Sequence, residues 1–188
     1  MLIFVLSCNN FSKGGKDEVI KNYKKEVDIY AKKYDLPASY FLALIMLESS
    51  GRKEIKPRYE PHIYKSLKAL RDGRIEKFED LTYDDVKFYS NYDLKQLSKS
   101  YGPFQIMGYK AIKMKINLDD FQSDSAIKFG IEWIDREYGD VLRKGNYMDA
   151  FHIHNTGRPF PKDGKSLTYN SDYVKNGIEF MHYFSRLY

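Results

Sequence analysis

From Asp17 to Tyr34 apolar side chains recur at helical spacing, at Val19, Ile20, Tyr23, Val27, Tyr30, Ala31 and Tyr34, with lysines on the opposite face. This spacing predicts an amphipathic helix. Asp35-Leu36-Pro37 then reads as a stop and restart, with Asp35 as a cap and Pro37 at or near the first turn of the next helix. The segment Ala38 to Glu48 is of another kind, because Phe41, Leu42, Ala43, Leu44, Ile45, Met46 and Leu47 are apolar without a break. A helix apolar on every face is buried on every face. Ser49, Ser50 and Gly51 end it.

Further along, Lys53 to Pro61 is irregular with two prolines, and Ile63 to Leu70 predicts a short helix ending near Asp72-Gly73. Interrupted helical patterns cover Asp84 to Leu97 and Phe104 to Met114. Ser123 is placed to cap a long helix carrying Ile127, Ile131, Ile134, Tyr138, Val141 and Leu142 on one side and closed by Gly145. Met148 to Ile153 is short and apolar-rich, and Asp172 to Leu187 predicts the final helix. No strand-like alternation of useful length occurs. The expected fold class is mainly α, with at most a small hairpin in the Arg74 to Thr82 region.

Composition narrows the class. A chain of 188 residues is long enough for one sizeable core. With 12 Gly, 6 Pro and 16% aromatic residues it is neither fibrous nor disordered. One cysteine excludes an intrachain disulfide framework and a Cys-based metal site. The formal net charge of +5 favours anionic partners, but only 8 of the 31 basic residues are Arg and the lysines are scattered, so no nucleic acid partner is expected. At the N-terminus, Val5-Leu6-Ser7-Cys8 resembles a bacterial lipobox, although the apolar run is short and lacks a basic flank. Residues 1–16 therefore read as a truncated or atypical lipoprotein signal and tether, and residues 17–188 as the domain. This implies a periplasmic protein, lipid-anchored through Cys8, with a non-exported N-terminus as the alternative reading, and no other segment is apolar enough to span a bilayer.

Glu48 is the residue that points to chemistry. At the C-terminal end of an apolar helix its anion is disfavoured by desolvation and by the negative end of the helix dipole. Both effects raise its pKa, and a carboxylic acid protonated near neutrality suits general acid catalysis on an acetal oxygen. The plain alternative is a Glu turned to solvent or to Arg52.

Four blocks in order weigh against that alternative: Leu47-Glu48-Ser49-Ser50-Gly51, Ser100-Tyr101-Gly102-Pro103-Phe104-Gln105-Ile106-Met107-Gly108, His154-Asn155-Thr156-Gly157, and Asp172-Tyr173-Val174. Together they resemble the soluble lytic transglycosylase family of the lysozyme-like superfamily. The middle block and Tyr59-Glu60-Pro61-His62-Ile63-Tyr64 are also similar to phage-type N-acetylmuramidases. The resemblance implies a lysozyme-like fold and cleavage of the bond between N-acetylmuramic acid and N-acetylglucosamine in peptidoglycan. It implies that Glu48 is the catalytic acid/base, that the sugar's own 6-hydroxyl closes a 1,6-anhydro ring, and that Tyr173 orients Glu48. It also places Ser49, Ser100, Gln105, Met107, His154, Asn155 and Gly157 along the substrate cleft.

His154 stands where the family usually has Tyr, and Pro103-Phe104 replaces Leu-Met. A His there offers a flat polar ring to a sugar and titrates near neutrality, or else it is a buried structural His. Tyr101 and Tyr109 are read as exposed rings able to stack on sugars, against the plainer reading of core packing. Glu60 remains open: a second catalytic carboxylate positioning water or acting as nucleophile, or a loop brace with His62 capping the helix after it. His152 and His154, two apart, lack metal-ligand spacing, and no HExxH pattern occurs. The expectation is a monomeric enzyme without cofactor or metal, whose partner is the glycan strand. Its rivals are a hydrolytic muramidase on the same fold and a non-catalytic glycan-binding module.

Overall fold

Helix α2, Ala38–Ser49, runs through the middle of the protein with every residue from Ser39 to Met46 buried. The continuous apolar run gives it no face to offer to water, so other helices cover it all round. Its main neighbours are α9, Tyr173–Ser185, and α1, Lys13–Lys33. This computed structural model describes residues 13–188. Cys8 and the rest of the lipoprotein signal lie outside the described residues.

The helix α1 starts four residues ahead of Asp17, where the segment with the apolar pattern begins, so residues 13–16, read as tether, are helical. The Lys16 ammonium sits 4.2 Å from the centre of the Tyr183 ring of α9, which ties this first turn to the core. Asp35 does not cap α2. It takes the left-handed conformation (φ 52°) that ends α1, while Pro37 occupies the N-cap position without a side-chain bond. A helix end needs a residue able to visit that region, and Asp tolerates it better than Leu or Pro.

Downstream come β1 (Arg58–Tyr59), α3 (Pro61–Arg71), β2 (Lys77–Phe78), β3 (Leu81–Thr82), α4 (Tyr83–Val86), α5 (Asn91–Leu97), β4 (Lys99–Tyr101), β5 (Ile106–Met107) and α6 (Lys110–Met114). A single 3-10 turn, Leu118–Phe121, leads to α7 (Ala126–Arg143) and α8 (Tyr147–Thr156). The long helix α7 begins at Ala126, while Ser123 accepts the Ser125 N–H in the preceding loop, and its regular geometry breaks at Tyr138.

The mainly helical expectation holds, and β2 and β3 form the hairpin expected between Arg74 and Thr82. A second, three-stranded antiparallel sheet in the order β1-β4-β5 goes beyond that single hairpin. Its strands are two or three residues long, too short for alternation to register. The stretch from Phe104 is accordingly strand and turn up to α6, which fills only the last part of the interrupted helical pattern from Phe104 to Met114.

Two apolar cores result. The larger joins α1, α2, α7, α8 and α9 with Tyr101, Phe104, Ile106 and Phe121. The smaller gathers Leu67 and Leu70 of α3, Leu81, Val86, Leu94, Leu97 and Tyr109. Lys110 links them, its ammonium 3.4 Å from Glu79 in the hairpin turn and 3.7 Å from Glu137 on α7.

The turn between β4 and β5 depends on Gly102. Its φ is +68°, and a Cβ there would stand 1.8 Å from the Phe121 carbonyl oxygen. Gly102→Ala is therefore expected to destabilise the fold by about 3 kcal/mol or more. At Gly73, where φ is also positive but no atom lies within 4 Å, Ala is expected to cost about 1 kcal/mol, the backbone term alone. Denaturant unfolding of both variants checks this; equal losses would contradict it.

Candidate active site

The end of α2 is fixed by α1. Ser50 adopts the left-handed conformation (φ 54°) and returns its N–H to the Met46 carbonyl. Gly51 follows at φ +77°, so close to α1 that a Cβ would lie 2.6 Å from the Val19 nitrogen. Asn22 donates to the Gly51 carbonyl at 2.8 Å and the Tyr23 hydroxyl donates to the Arg52 carbonyl. Arg52 turns its Nε to the Ser49 carbonyl at 3.1 Å rather than to Glu48.

Glu48 points inward from this end, with 16% of its side chain exposed. The Tyr173 hydroxyl, at the start of α9, donates to its Oε1. Burial raises the carboxyl from an ordinary 4.5 to about 7, against the opposing pull of the Tyr173 hydrogen bond and the Arg58 charge. Tyr173 is itself held protonated by burial and by the carboxylate in front of it.

His154 lies next to this pair, its Nε2 4.0 Å from Glu48 Oε1, yet it forms no ion pair. Nε2 lies 2.9 Å from the Phe104 carbonyl, a pure acceptor, so it carries the proton. Nδ1 therefore accepts from the Tyr138 hydroxyl at 2.7 Å, and Tyr138 accepts from Tyr40 at 3.2 Å. Every hydrogen in the chain Tyr40, Tyr138, His154, Phe104 has a set direction. Burial lowers His154 to about 4, the carbonyl contact opposing this weakly. The expectation that His154 titrates near neutrality is thus corrected: desolvation keeps it uncharged, and it joins α8 to the β4-β5 turn.

The register sets out the opposite wall. Arg58 pairs with Ser100, and Ser100 with Met107, which puts these three side chains on one face of the sheet. Glu60 continues the ladder through its N–H to the Ser98 carbonyl and lies on the face of Arg58, whose Nε is 2.7 Å from Glu60 Oε1. His62 Nδ1 is 3.9 Å from Glu60 Oε2; it stands in the first turn of α3, whose N-cap residue is Glu60. The Arg58 charge acts on Glu48, so this face of the sheet lies within electrostatic reach of the acid.

Among the remaining residues, Gln105 uses its amide within the turn, donating to the Gly102 carbonyl and accepting from Ser100 Oγ, both at 2.9 Å. Ser49 is buried and bonds back to the Ile45 carbonyl at 2.9 Å, so it offers nothing to a ligand. Met107 is half-buried against the smaller core. Asn155 is exposed at the end of α8, and Gly157 closes that helix at φ +74°.

Tyr101 and Tyr109 are not exposed stacking platforms. Both are 4% exposed, Tyr101 on the other face of the sheet with its hydroxyl on the Gln96 carbonyl, and Tyr109 in the smaller core. A groove of about 490 Å³ lies on that far side, lined by Tyr89, Tyr92, Tyr101 and Asp119 but not by Glu48.

Arg58, Tyr138 and Tyr40 escaped the sequence reading as members of the site. For Arg58 a signal existed, since an Arg two residues before a Glu in an extended segment shares its face. Tyr138 and Tyr40 look like ordinary core positions at helical spacing, and only the fold brings their hydroxyls to His154. Compared with family models, curated proteins and solved structures, the chain matches none.

The two shifted groups pull stability in opposite directions. Glu48, raised, contributes stability that is complete below about pH 4.5 and lost as pH rises through 7; His154, depressed, contributes stability present above pH 6.5 and lost as pH falls through 4. Between about pH 4.5 and 6.5 their slopes cancel. Glu48→Gln removes one of them. The variant is expected to match the wild type near pH 4 and to exceed its unfolding free energy by about 3 kcal/mol at pH 8. Urea denaturation across this range is the check, and a pH-independent offset would contradict it.

Proposed function

We propose that the chain is a lysozyme-like enzyme that cleaves peptidoglycan glycan strands, a lytic transglycosylase with Glu48 as its single acid/base. The observation that carries this reading is the Glu48 carboxyl, shielded from water, protonated up to about pH 7 and oriented by Tyr173. The four sequence blocks support it, because Glu48, Tyr173 and His154 meet directly and His154 is bonded to the Phe104 carbonyl of the block from Ser100 to Gly108.

In this mechanism Glu48 donates its proton to the glycosidic oxygen, the bond from that oxygen to C1 of N-acetylmuramic acid breaks, and the next sugar leaves as an alcohol. The Glu48 carboxylate then removes the proton from the 6-hydroxyl of the same muramic acid. The freed oxygen bonds to C1, closes the 1,6-anhydro ring, and leaves Glu48 protonated for another turnover. No water enters and no second carboxylate is used. Glu60, ion-paired with Arg58, fits a supporting place. A hydrolytic muramidase is the second reading, favoured by a second carboxylate, Glu60, paired with the Arg58 whose charge reaches Glu48.

Attachment through Cys8 and a periplasmic location belong to the same proposal, and the net charge of +5 suits an anionic cell wall. Among the described residues no helix is long and apolar enough to cross a membrane.

Digestion of purified sacculi with mass analysis of the products tests the reading. Anhydromuramic ends are expected, reducing ends would favour the hydrolase, and no soluble product would leave a binding module. Glu48→Gln is expected to lower the rate by about 10² to 10⁴. The rate should fall above pH 7 as Glu48 loses its proton, and Tyr173→Phe should move that limb up by about one unit while lowering the maximum rate. An alkaline limb untouched by Tyr173→Phe would contradict the pairing.

A further inference from the structure

Arg58 has a free edge. Its side chain is 72% exposed, and only Nε has a partner among the described residues, the Glu60 carboxylate at 2.7 Å. A guanidinium paired through Nε leaves its two η nitrogens turned outward, a fork that matches a carboxylate bidentately. The fork stands on the sheet face it shares with Ser100 and Met107, within electrostatic reach of Glu48. Glu60 has His62 Nδ1 3.9 Å from its other oxygen, so Arg58, Glu60 and His62 form one charged cluster on the same segment.

If the reading of the site as a glycan-strand cleft is right, on which this inference rests, the substrate brings an acid to that place. The muramic acid whose C1 reacts carries a lactyl ether on the same ring, ending in a carboxylate. That carboxylate is free in denuded strands; elsewhere the stem peptide extends it and brings carboxylates of its own. Chitin-type strands have neither. We propose that Arg58, held in position by Glu60, is the carboxylate receptor of the cleft and sets its preference for acidic over neutral glycan strands. Glu60 is then a positioning residue, acting through Arg58 and not on the scissile bond.

The test uses soluble strands in three forms: denuded, stem-bearing, and with the carboxyls reduced to alcohols. Wild type, Arg58→Gln, Arg58→Lys and Glu60→Gln are compared by KM and kcat on each, after thermal melts confirm folding. The wild type is expected to favour acidic over reduced strands about tenfold or more in kcat/KM. Arg58→Gln is expected to bring that ratio to about one, mainly through KM, with Arg58→Lys in between because an ammonium keeps the charge but loses the fork. Glu60→Gln should lower the ratio in the same way.

A preference confined to denuded strands assigns the lactyl carboxylate; one confined to stem-bearing strands assigns the peptide. An unchanged ratio in Arg58→Gln overturns the proposal. So does a loss of kcat in Glu60→Gln that is equal on acidic and reduced strands, since that marks a second catalytic carboxylate. If the wild type cleaves none of the three, the enzymatic reading fails by itself, and calorimetric binding of the same strands decides the inference. Tighter binding of acidic strands that Arg58→Gln abolishes sustains the receptor, and equal binding overturns it.

Discussion

A carboxyl group sits at the end of a helix that has no solvated side, and the other features of the site are arranged around that constraint. Because α2 is covered by α1 and α9, its last turn emerges among packed side chains, and Glu48 lacks the hydration an ordinary carboxylate has. Desolvation alone would push the acid far upward. The Tyr173 hydroxyl and the more distant Arg58 charge pull it back, and the balance falls at about 7. Closure of the helix by Ser50 and Gly51, pinned by Asn22 and Tyr23, keeps the carboxyl where both can act.

The neighbours of Glu48 are kept neutral by the same burial. His154 is 4.0 Å away yet stays uncharged at physiological pH, with both ring nitrogens committed, one to Tyr138 and one to Phe104. An imidazolium there would hold Glu48 ionised and remove its use as an acid. The chain from Tyr40 to Phe104 therefore works as a scaffold: it fixes α7, α8 and the β4-β5 turn to one another and keeps His154 neutral beside Glu48. On the three-stranded sheet, Arg58 at the start of β1 pairs with Glu60 at the cap of α3, and the Arg58 side chain is exposed enough for a ligand to reach.

Much of this was legible in the chain. The unbroken apolar run ahead of Glu48 announced a buried helix and an acid with a raised pKa, and the helices of α1, α7 and α9 followed from spacing. What escaped has identifiable causes. Strands β1, β4 and β5 are too short to show alternation, so the wall carrying Arg58 had no periodic signature. Tyr101 looked like a sugar platform because an aromatic beside a glycine turn gives no sign of the face it takes; the register turns it away from Ser100 and into the core. His154 looked titratable because its spacing says nothing of the Tyr138 hydroxyl sixteen residues back in sequence, and Ser49 looked available although a helical serine can bond back to the carbonyl four residues earlier.

The central claim is that one buried carboxyl carries its proton up to neutrality. Carbon-13 NMR of protein labelled at the glutamate side-chain carboxyls, with the Glu48 signal assigned from its absence in Glu48→Gln, measures this directly. This signal is expected to titrate near pH 7, well apart from the other glutamates. A Glu48 carboxyl that titrates with them near 4.5 would contradict the claim.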